Sequence, residues 1–163
     1  MRQNRVGMGF DVHKFKPGNG LPVCGVFISD TLGVEAHSDG DVGIHALMDS
    51  ILGAMGEGDI GVYFPPSDSK YKDADSKKLL AEVLLVVKKL NYRIINVDIT
   101  ILCQQPKINP WRNAMKECIA EILEISEDRV GIKATTTEGL GFLGRIEGIA
   151  AQAICLLEKG SED

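Results

Sequence analysis

The sequence predicts an α+β domain, a mixed α/β arrangement in which strands and helices alternate along one chain. Three observations predict it. Short runs rich in Val, Ile and Gly recur at 5–13, 21–28, 93–102, 130–137 and 148–157. Between them lie segments whose apolar residues follow helical spacing. No repeat, low-complexity tract or linker interrupts the 163 residues, so residues 1–163 are expected to form a single domain, long enough for a real core.

The first run, 5–13, alternates in part and is broken by glycines, as a strand can be. A turn over 16–20, with Pro17, Gly18, Asn19 and Gly20, leads into the second strand. Asp39 or Asp41 can cap a helix that runs to about residue 55, with Ile44, Leu47, Met48, Ile51 and Leu52 at helical spacing; Gly56, Gly58 and Gly61 end it. Residues 64–75 hold Pro65, Pro66 and several Ser, Asp and Lys, and read as a long polar loop of the kind that serves as a lid or binding loop. Asp75 or Ser76 can cap a second helix to about residue 90, carrying Leu79, Leu80, Val83, Val86 and Val87. A strand follows over 93–102. Asn109-Pro110 opens a third helix with proline at its first position, and Met115, Ile119, Ile122 and Leu123 lie along it. Two strands, 130–137 and 148–157, complete the chain.

Composition removes several functions. A net charge of −5 and a pI near 5.2 argue against a nucleic-acid partner. An acidic chain can hold a phosphate ligand only through local cations, metals or helix starts. The longest apolar run, 83–87, is far too short to cross a bilayer, so no membrane partner is expected. No basic segment followed by an apolar one opens the chain, and the expected location is cytoplasmic. Cys24, Cys103, Cys118 and Cys155 are far apart and form no C-x-x-C pair, the pattern of buried free thiols in a reducing compartment.

The three histidines all fall between positions 13 and 45. Asp11 and His13 are two apart on an expected strand and therefore share a face. His45 lies about one turn inside the first helix. Two imidazoles and a carboxylate make a three-ligand zinc set with an open fourth position, the catalytic pattern; the plain alternative is a turn-capping Asp11 beside hydrogen-bonded histidines. His37 and Ser38 precede that helix, where backbone amides favour an anion, although Ser38, Asp39 and Asp41 also suit simple capping. A third cluster, 134–142, follows Thr135, Thr136 and Thr137 with glycines. Its hydroxyls and amides suit phosphoryl oxygens, and Glu138 suits a hard cation such as magnesium, while a β-branched strand needs no such role.

Several motifs now occur in order: Gly-Phe-Asp-Val-His at 9–13, Ala-His-Ser-Asp-Gly-Asp at 36–41, His45, Gly-Asp-Ile-Gly at 58–61, Phe64-Pro65, Asp75-Ser76, Asn96-Val97-Asp98, Pro106-Lys107, Lys-Ala-Thr-Thr-Thr-Glu at 133–138, Leu140-Gly141-Phe142 and Gly148-Ile149-Ala150. Together they resemble the 2-C-methyl-D-erythritol 2,4-cyclodiphosphate synthases of the non-mevalonate isoprenoid pathway, over nearly the whole chain. The chain departs from that pattern at Gly139, where Lys is common, at Cys103-Gln104-Gln105 and at Pro66-Ser67.

The resemblance implies one β-sheet with helices packed on one face, assembled as a homotrimer around a central cavity. It implies a lyase that folds a cytidine diphosphate substrate back on itself, its second phosphate attacking the diphosphate to give a cyclic diphosphate and CMP. It assigns zinc to Asp11, His13 and His45, with Asp11 and His13 also facing substrate, and a magnesium or manganese ion to Glu138. His37 and Thr136 would stabilise the transition state. Ser38, Asp59, Ile60 and Gly61 would surround the methylerythritol part, with Phe64, Pro65, Pro66, Ser67 and Asp68 above it. The cytidine pocket would run through Cys103, Gln104, Gln105, Pro106, Lys107, Ile108 and Asn109, adjoined by Thr135, Thr136, Thr137 and Glu138. Phe142 and Arg145 are further substrate-binding positions. A zinc-dependent phosphohydrolase and a non-catalytic CMP-binding module are the alternatives from other classes.

Overall fold

A computed structural model describes residues 3–18 and 20–160; Asn19 of the expected turn lies outside them. Its centre is a five-stranded sheet in the order β4-β1-β7-β5-β6. Strand β1 (Gln3–Pro17) pairs antiparallel with β4 (Leu32–Val34) on one side and β7 (Gly148–Lys159) on the other. Strand β5 (Tyr92–Leu102) is antiparallel to β7 and parallel to β6 (Val130–Thr135). Helices α1 (Val42–Met55), α3 (Ser76–Lys89) and α4 (Arg112–Leu123) pack on one face. Between sheet and helices lie fully buried side chains such as Leu47, Leu80, Ile99, Ile101 and Met115, each stabilising the fold by about 1.5–3 kcal/mol.

The expected elements recur with instructive differences. Strand 5–13 is longer at both ends. The run 21–28 is not one strand but a small separate hairpin of β2 (Pro22–Val23) and β3 (Val26–Phe27), because Cys24 and Gly25 turn with positive φ between them. The polar loop is interrupted by a single helical turn, α2 (Ile60–Tyr63), capped by Asp59, and by a 3₁₀ turn at Ser69–Tyr71 capped by Asp68. The third helix enters through a 3₁₀ turn at Asn109–Trp111, which puts Pro110 second rather than first. Strand β6 stops at Thr135, leaving Thr136 and Thr137 in the loop, and a further short helix, α5 (Gly141–Gly144), precedes β7.

Two caps that the sequence left open are resolved. Asp41 caps α1, accepting from the Ile44 N–H at 2.9 Å and also from the Cys24 and Gly25 amides at 2.8 and 2.7 Å. Asp75 caps α3 through the Lys77 N–H at 2.9 Å. Asp39 and Ser76 are thereby released for another use. All four cysteines are free thiols. No helix among the described residues is long and apolar enough to cross a membrane.

The alternation of β1 is what brings α1 onto the sheet. Gly7 and Gly9 face the helix, and a Cβ on either would lie 1.8 Å from the Ser50 carbonyl oxygen or 1.9 Å from that of Ala46. Backbone oxygens cannot step aside as side chains can. Gly9→Ala should therefore force α1 off β1 and destabilise the fold by about 1–3 kcal/mol, the usual scale for overpacking. A thermal unfolding midpoint unchanged from the parent would contradict this packing.

Candidate metal centre and a second pocket

The same odd-numbered face of β1 continues past the glycines to Asp11 and His13. Helix α1, held close by those glycines, presents His45 to them. The Asp11 Oδ2 atom lies 2.9 Å from His13 Nε2 and 3.1 Å from His45 Nδ1, and the two ring nitrogens are 3.2 Å apart. Four ligands at about 2.0–2.2 Å from a tetrahedral metal are separated by about 3.3–3.6 Å. The three atoms thus form nearly one face of such a tetrahedron, and they are a group among the described residues able to hold a metal ion. His45 is buried while His13 and Asp11 are half-buried, so the fourth side of the site is open toward solvent.

Charge at the trio is set by competing effects. Burial pushes the Asp11 carboxyl up, but hydrogen bonds and charge from His13 and His45 outweigh it and hold the group well below the usual carboxylate range. Burial alone depresses His45, yet the Asp11 hydrogen bond and the charges of Asp11, Asp41 and Asp39 raise it above the ordinary imidazole value. The outer nitrogen of His45, Nε2, lies 3.0 Å from both Ser38 Oγ and Ser76 Oγ. Hydrogen-bonded partners of this kind orient the imidazoles of metal sites.

Beside the trio is a cavity of about 200 Å³ whose wall includes Asp11, His13, His37, Ser38 and His45, with Ile60, Gly61, Phe64, Pro66 and Tyr71 opposite. The edge-on ring pair of Phe64 and Tyr71, 5.3 Å between centroids, closes this side. Asp59, Pro65, Ser67 and Asp68 do not line it; Asp59 and Asp68 cap the short turns that shape the loop. At the start of α1 the Asp41 side chain takes the amide of the third helical residue, Ile44.

A second cavity, about 160 Å³, opens where the parallel strands β5 and β6 end, the usual place for ligands in such sheets. Cys103, Gln104, Pro106, Lys107, Ile108 and Asn109 form one wall, and Thr135 and Thr136 the other. The walls are tied by Cys103 N–H to Thr135 O at 3.1 Å and by Thr137 N–H to Gln104 Oε1 at 3.0 Å. Burial pushes the Cys103 thiol up to about 11 despite nearby Lys107. Thr136 Oγ1 accepts from the Glu138 N–H at 3.2 Å. Glu138 is exposed, with a left-handed φ of 53° that is uncommon outside glycine. Gln105, Thr137 and Glu138 stand outside the cavity wall, and Phe142 and Arg145 lie on and just after α5, with Arg145 paired to Glu147.

The two cavities do not meet within one chain. The paired row Val12, Ala150, Leu102 and Thr135 crosses four strands, so β1 and β6 are three inter-strand steps, about 14 Å, apart at this end of the sheet.

The YgbB family model matches residues 4–158. This chain belongs to the YgbB family. YgbB relatives named 2-C-methyl-D-erythritol 2,4-cyclodiphosphate synthase include that of Xylella fastidiosa, 51% identical over 94% of this chain and 87% of its own length. That of Anaplasma phagocytophilum is 50% identical over 93% of each. The bifunctional enzyme IspD/IspF of Caulobacter vibrioides is 51% identical over 96% of this chain, which spans only 41% of that longer protein. Among solved structures, the IspF CDP complex from Plasmodium falciparum superimposes with a TM-score of 0.86 at 37% identity, covering 97% of each chain. The bifunctional IspDF of Campylobacter jejuni gives 0.95 at 43% identity, over 99% of this chain and 44% of that one. The mixed sheet with helices on one face is thus the YgbB fold, and the Asp/His trio is its candidate divalent-metal site.

Proposed function

We propose that this chain converts 4-diphosphocytidyl-2-C-methyl-D-erythritol 2-phosphate into 2-C-methyl-D-erythritol 2,4-cyclodiphosphate and CMP. The observation that carries the reading is the pair of half-sites. A metal-ligand trio sits beside a cavity lined by Phe64 and Ile60, and a separate cavity beneath Thr135 and Thr136 is the right place for a nucleotide, in a chain half identical to enzymes named for this reaction. Zinc is the ion proposed for Asp11, His13 and His45, whose two imidazoles and one carboxylate suit it. Magnesium or manganese is proposed for Glu138, an oxygen ligand for a hard cation. Bound there, the two ions would neutralise phosphate charge and make the β-phosphorus a better electrophile.

The protein's own part is positioning. An oxygen of the 2-phosphate bonds to the β-phosphorus, the bond from that phosphorus to the oxygen bridging to the α-phosphate breaks, and CMP leaves with that oxygen. The nucleophile is already ionised and tethered, so no general base is required and orientation supplies much of the rate. Residues 103–109 hold the cytidine end. Phe64, Pro66 and Ile60 exclude water around the methylerythritol end, with Ser38 as a hydroxyl contact. His37 and the Thr136 hydroxyl donate to phosphoryl oxygens as charge shifts. Thr136→Val keeps the shape and deletes that donor, and turnover should fall roughly 10²–10³-fold. Turnover within about twofold of the parent would remove Thr136 from the role, since even tenfold is only about 1.4 kcal/mol.

The assembly proposed is a homotrimer. Val6, Met8, Phe10 and Val12 on β1 and Ile154 on β7 are all exposed on the sheet face away from the helices, an apolar row that a lone chain leaves in water. Three such faces turned inward would enclose an apolar centre.

The deciding experiment is incubation with the cytidine diphosphate substrate and magnesium, followed by mass analysis of products. CMP with the cyclic diphosphate supports the proposal. Inorganic phosphate or a linear diphosphate would make the chain a phosphohydrolase, and CMP binding without turnover would make it a binding module.

A further inference from the structure

Among the described residues the buried polar side chains are Asp41, His45, Ser50 and Ser76. Asp41 caps α1, and Ser50 bonds the Leu47 carbonyl within that helix. His45 and Ser76 bond each other, and that bond has a direction. The Asp39 carboxylate receives both the Ser76 backbone N–H, at 3.0 Å to Oδ2, and the Ser76 hydroxyl, at a short contact with Oδ1. A carboxylate only accepts, so the single Ser76 hydroxyl proton is committed to Asp39. Toward His45 the Ser76 oxygen is left with lone pairs alone. The nitrogen it faces, His45 Nε2 at 3.0 Å, must then carry a hydrogen, which leaves Nδ1 as the nitrogen that could give a lone pair to an ion held by the trio; in the chain alone, Nδ1 faces the Asp11 carboxylate, which likewise only accepts.

We infer that Asp39 and Ser76 are positioning residues: a two-step hydrogen-bond relay that keeps a hydrogen on His45 Nε2, as ligation of a metal through Nδ1 requires. This rests on the metal reading of the trio and goes beyond it, because neither residue touches the ligand face. Ser38 shares the same N–H at 3.0 Å, but it is not tied to a carboxylate and does not by itself set the direction. The relay also joins the metal to the polar loop. Ser76 opens α3, Asp39 N–H donates to Ala74 O at 3.1 Å, and Asp73 N–H donates to His37 O at 2.9 Å. The end of the 64–75 loop is therefore fastened to the residues that orient His45.

Three histidines make the test direct. Nitrogen-15 NMR of the zinc-free protein should report a hydrogen on His45 Nε2, with or without a second one on Nδ1 toward Asp11. A parent with a hydrogen on Nδ1 alone overturns the relay without any variant. Ser76→Ala and Asp39→Asn should each shift His45 toward a mixture of tautomers. Each should also weaken zinc binding, measured by chelator competition, by about 10–100-fold, the range typical for outer partners of metal ligands. The two changes act in series, so the double variant should bind zinc no more than about threefold worse than the weaker single. A merely structural role would lower the unfolding temperature while leaving the tautomer and the zinc affinity in place, and that result sinks the inference. So does an Asp39→Asn effect of equal size with and without the Ser76 hydroxyl. A parent that takes up no zinc would instead overturn the metal reading, which an Nε2–H tautomer lost in Ser76→Ala would outlive.

Discussion

His45→Ala is expected to abolish metal uptake by the trio and bring the proposed cyclase activity down by on the order of 10³ or more, while the chain still folds. The trio loses one of three ligands, and the two that remain, Asp11 and His13, come from a single strand with nothing opposite to close the site. Metal-assisted charge stabilisation is worth several kcal/mol, and each 1.4 kcal/mol is about tenfold in rate. The fold should survive because α1 is held mainly by its buried apolar side chains and by the close approach to Gly7 and Gly9. The Asp11 carboxyl, no longer bonded to His45, should rise toward its ordinary range, since burial then acts against fewer opposing hydrogen bonds. Metal analysis, circular dichroism and turnover on the same preparation decide the matter. Purified His45→Ala protein that keeps tight stoichiometric zinc would show that another set of residues holds the ion.

What the sequence carried, it carried through periodicity. The alternation Val6-Gly7-Met8-Gly9-Phe10-Asp11-Val12-His13 placed Asp11 and His13 on one face, and the structure adds that the same odd positions are where α1 touches β1. The even positions of that run are the exposed apolar row, a signal that the same alternation carries. Helices with strong apolar spacing were placed to within a few residues. Elements set by local turn geometry were not: the hairpin at Cys24 and Gly25, the turn Ile60–Tyr63 and the turn Gly141–Gly144 are too short to have a period. Capping was ambiguous for a physical reason. Asp39 and Asp41, like Asp75 and Ser76, are equivalent as caps in sequence, and only long-range contacts decide which one turns away. That ambiguity concealed Asp39 and Ser76, whose partner His45 is distant along the chain. The residues of the second cavity were reached through the resemblance instead, and its two walls are the loops that directly follow β5 and β6.

Mixing two inactive variants should restore activity, and this outcome would separate a shared site from a self-contained one. Thr136 and the metal trio are proposed to act on the same diphosphate, so they must lie within a few ångströms of each other around bound substrate. In one chain β1 and β6 are separated at this end of the sheet by about 14 Å, with β7 and β5 filling the interval as continuous paired strands. No loop movement can close that gap, since it would require pulling the sheet apart. A neighbouring chain can supply the missing half if the apolar row of Val6, Met8, Phe10 and Val12 is an interface between copies. One parent would carry His45→Ala and the other Lys107→Ala with Thr136→Ala, each disabling a different half. Denatured together and refolded one to one, random cyclic trimers would place an intact metal side against an intact cytidine pocket at about a quarter of the interfaces. Activity should then climb from background to about a quarter of the parent value, a gain of roughly 10²-fold over either variant alone. Mixed trimers that form, as mass spectrometry of differently tagged chains would report, yet stay as inactive as their parents would place both halves within one chain. A particle that light scattering finds to be monomeric at micromolar concentration would remove the shared site and the apolar interface together.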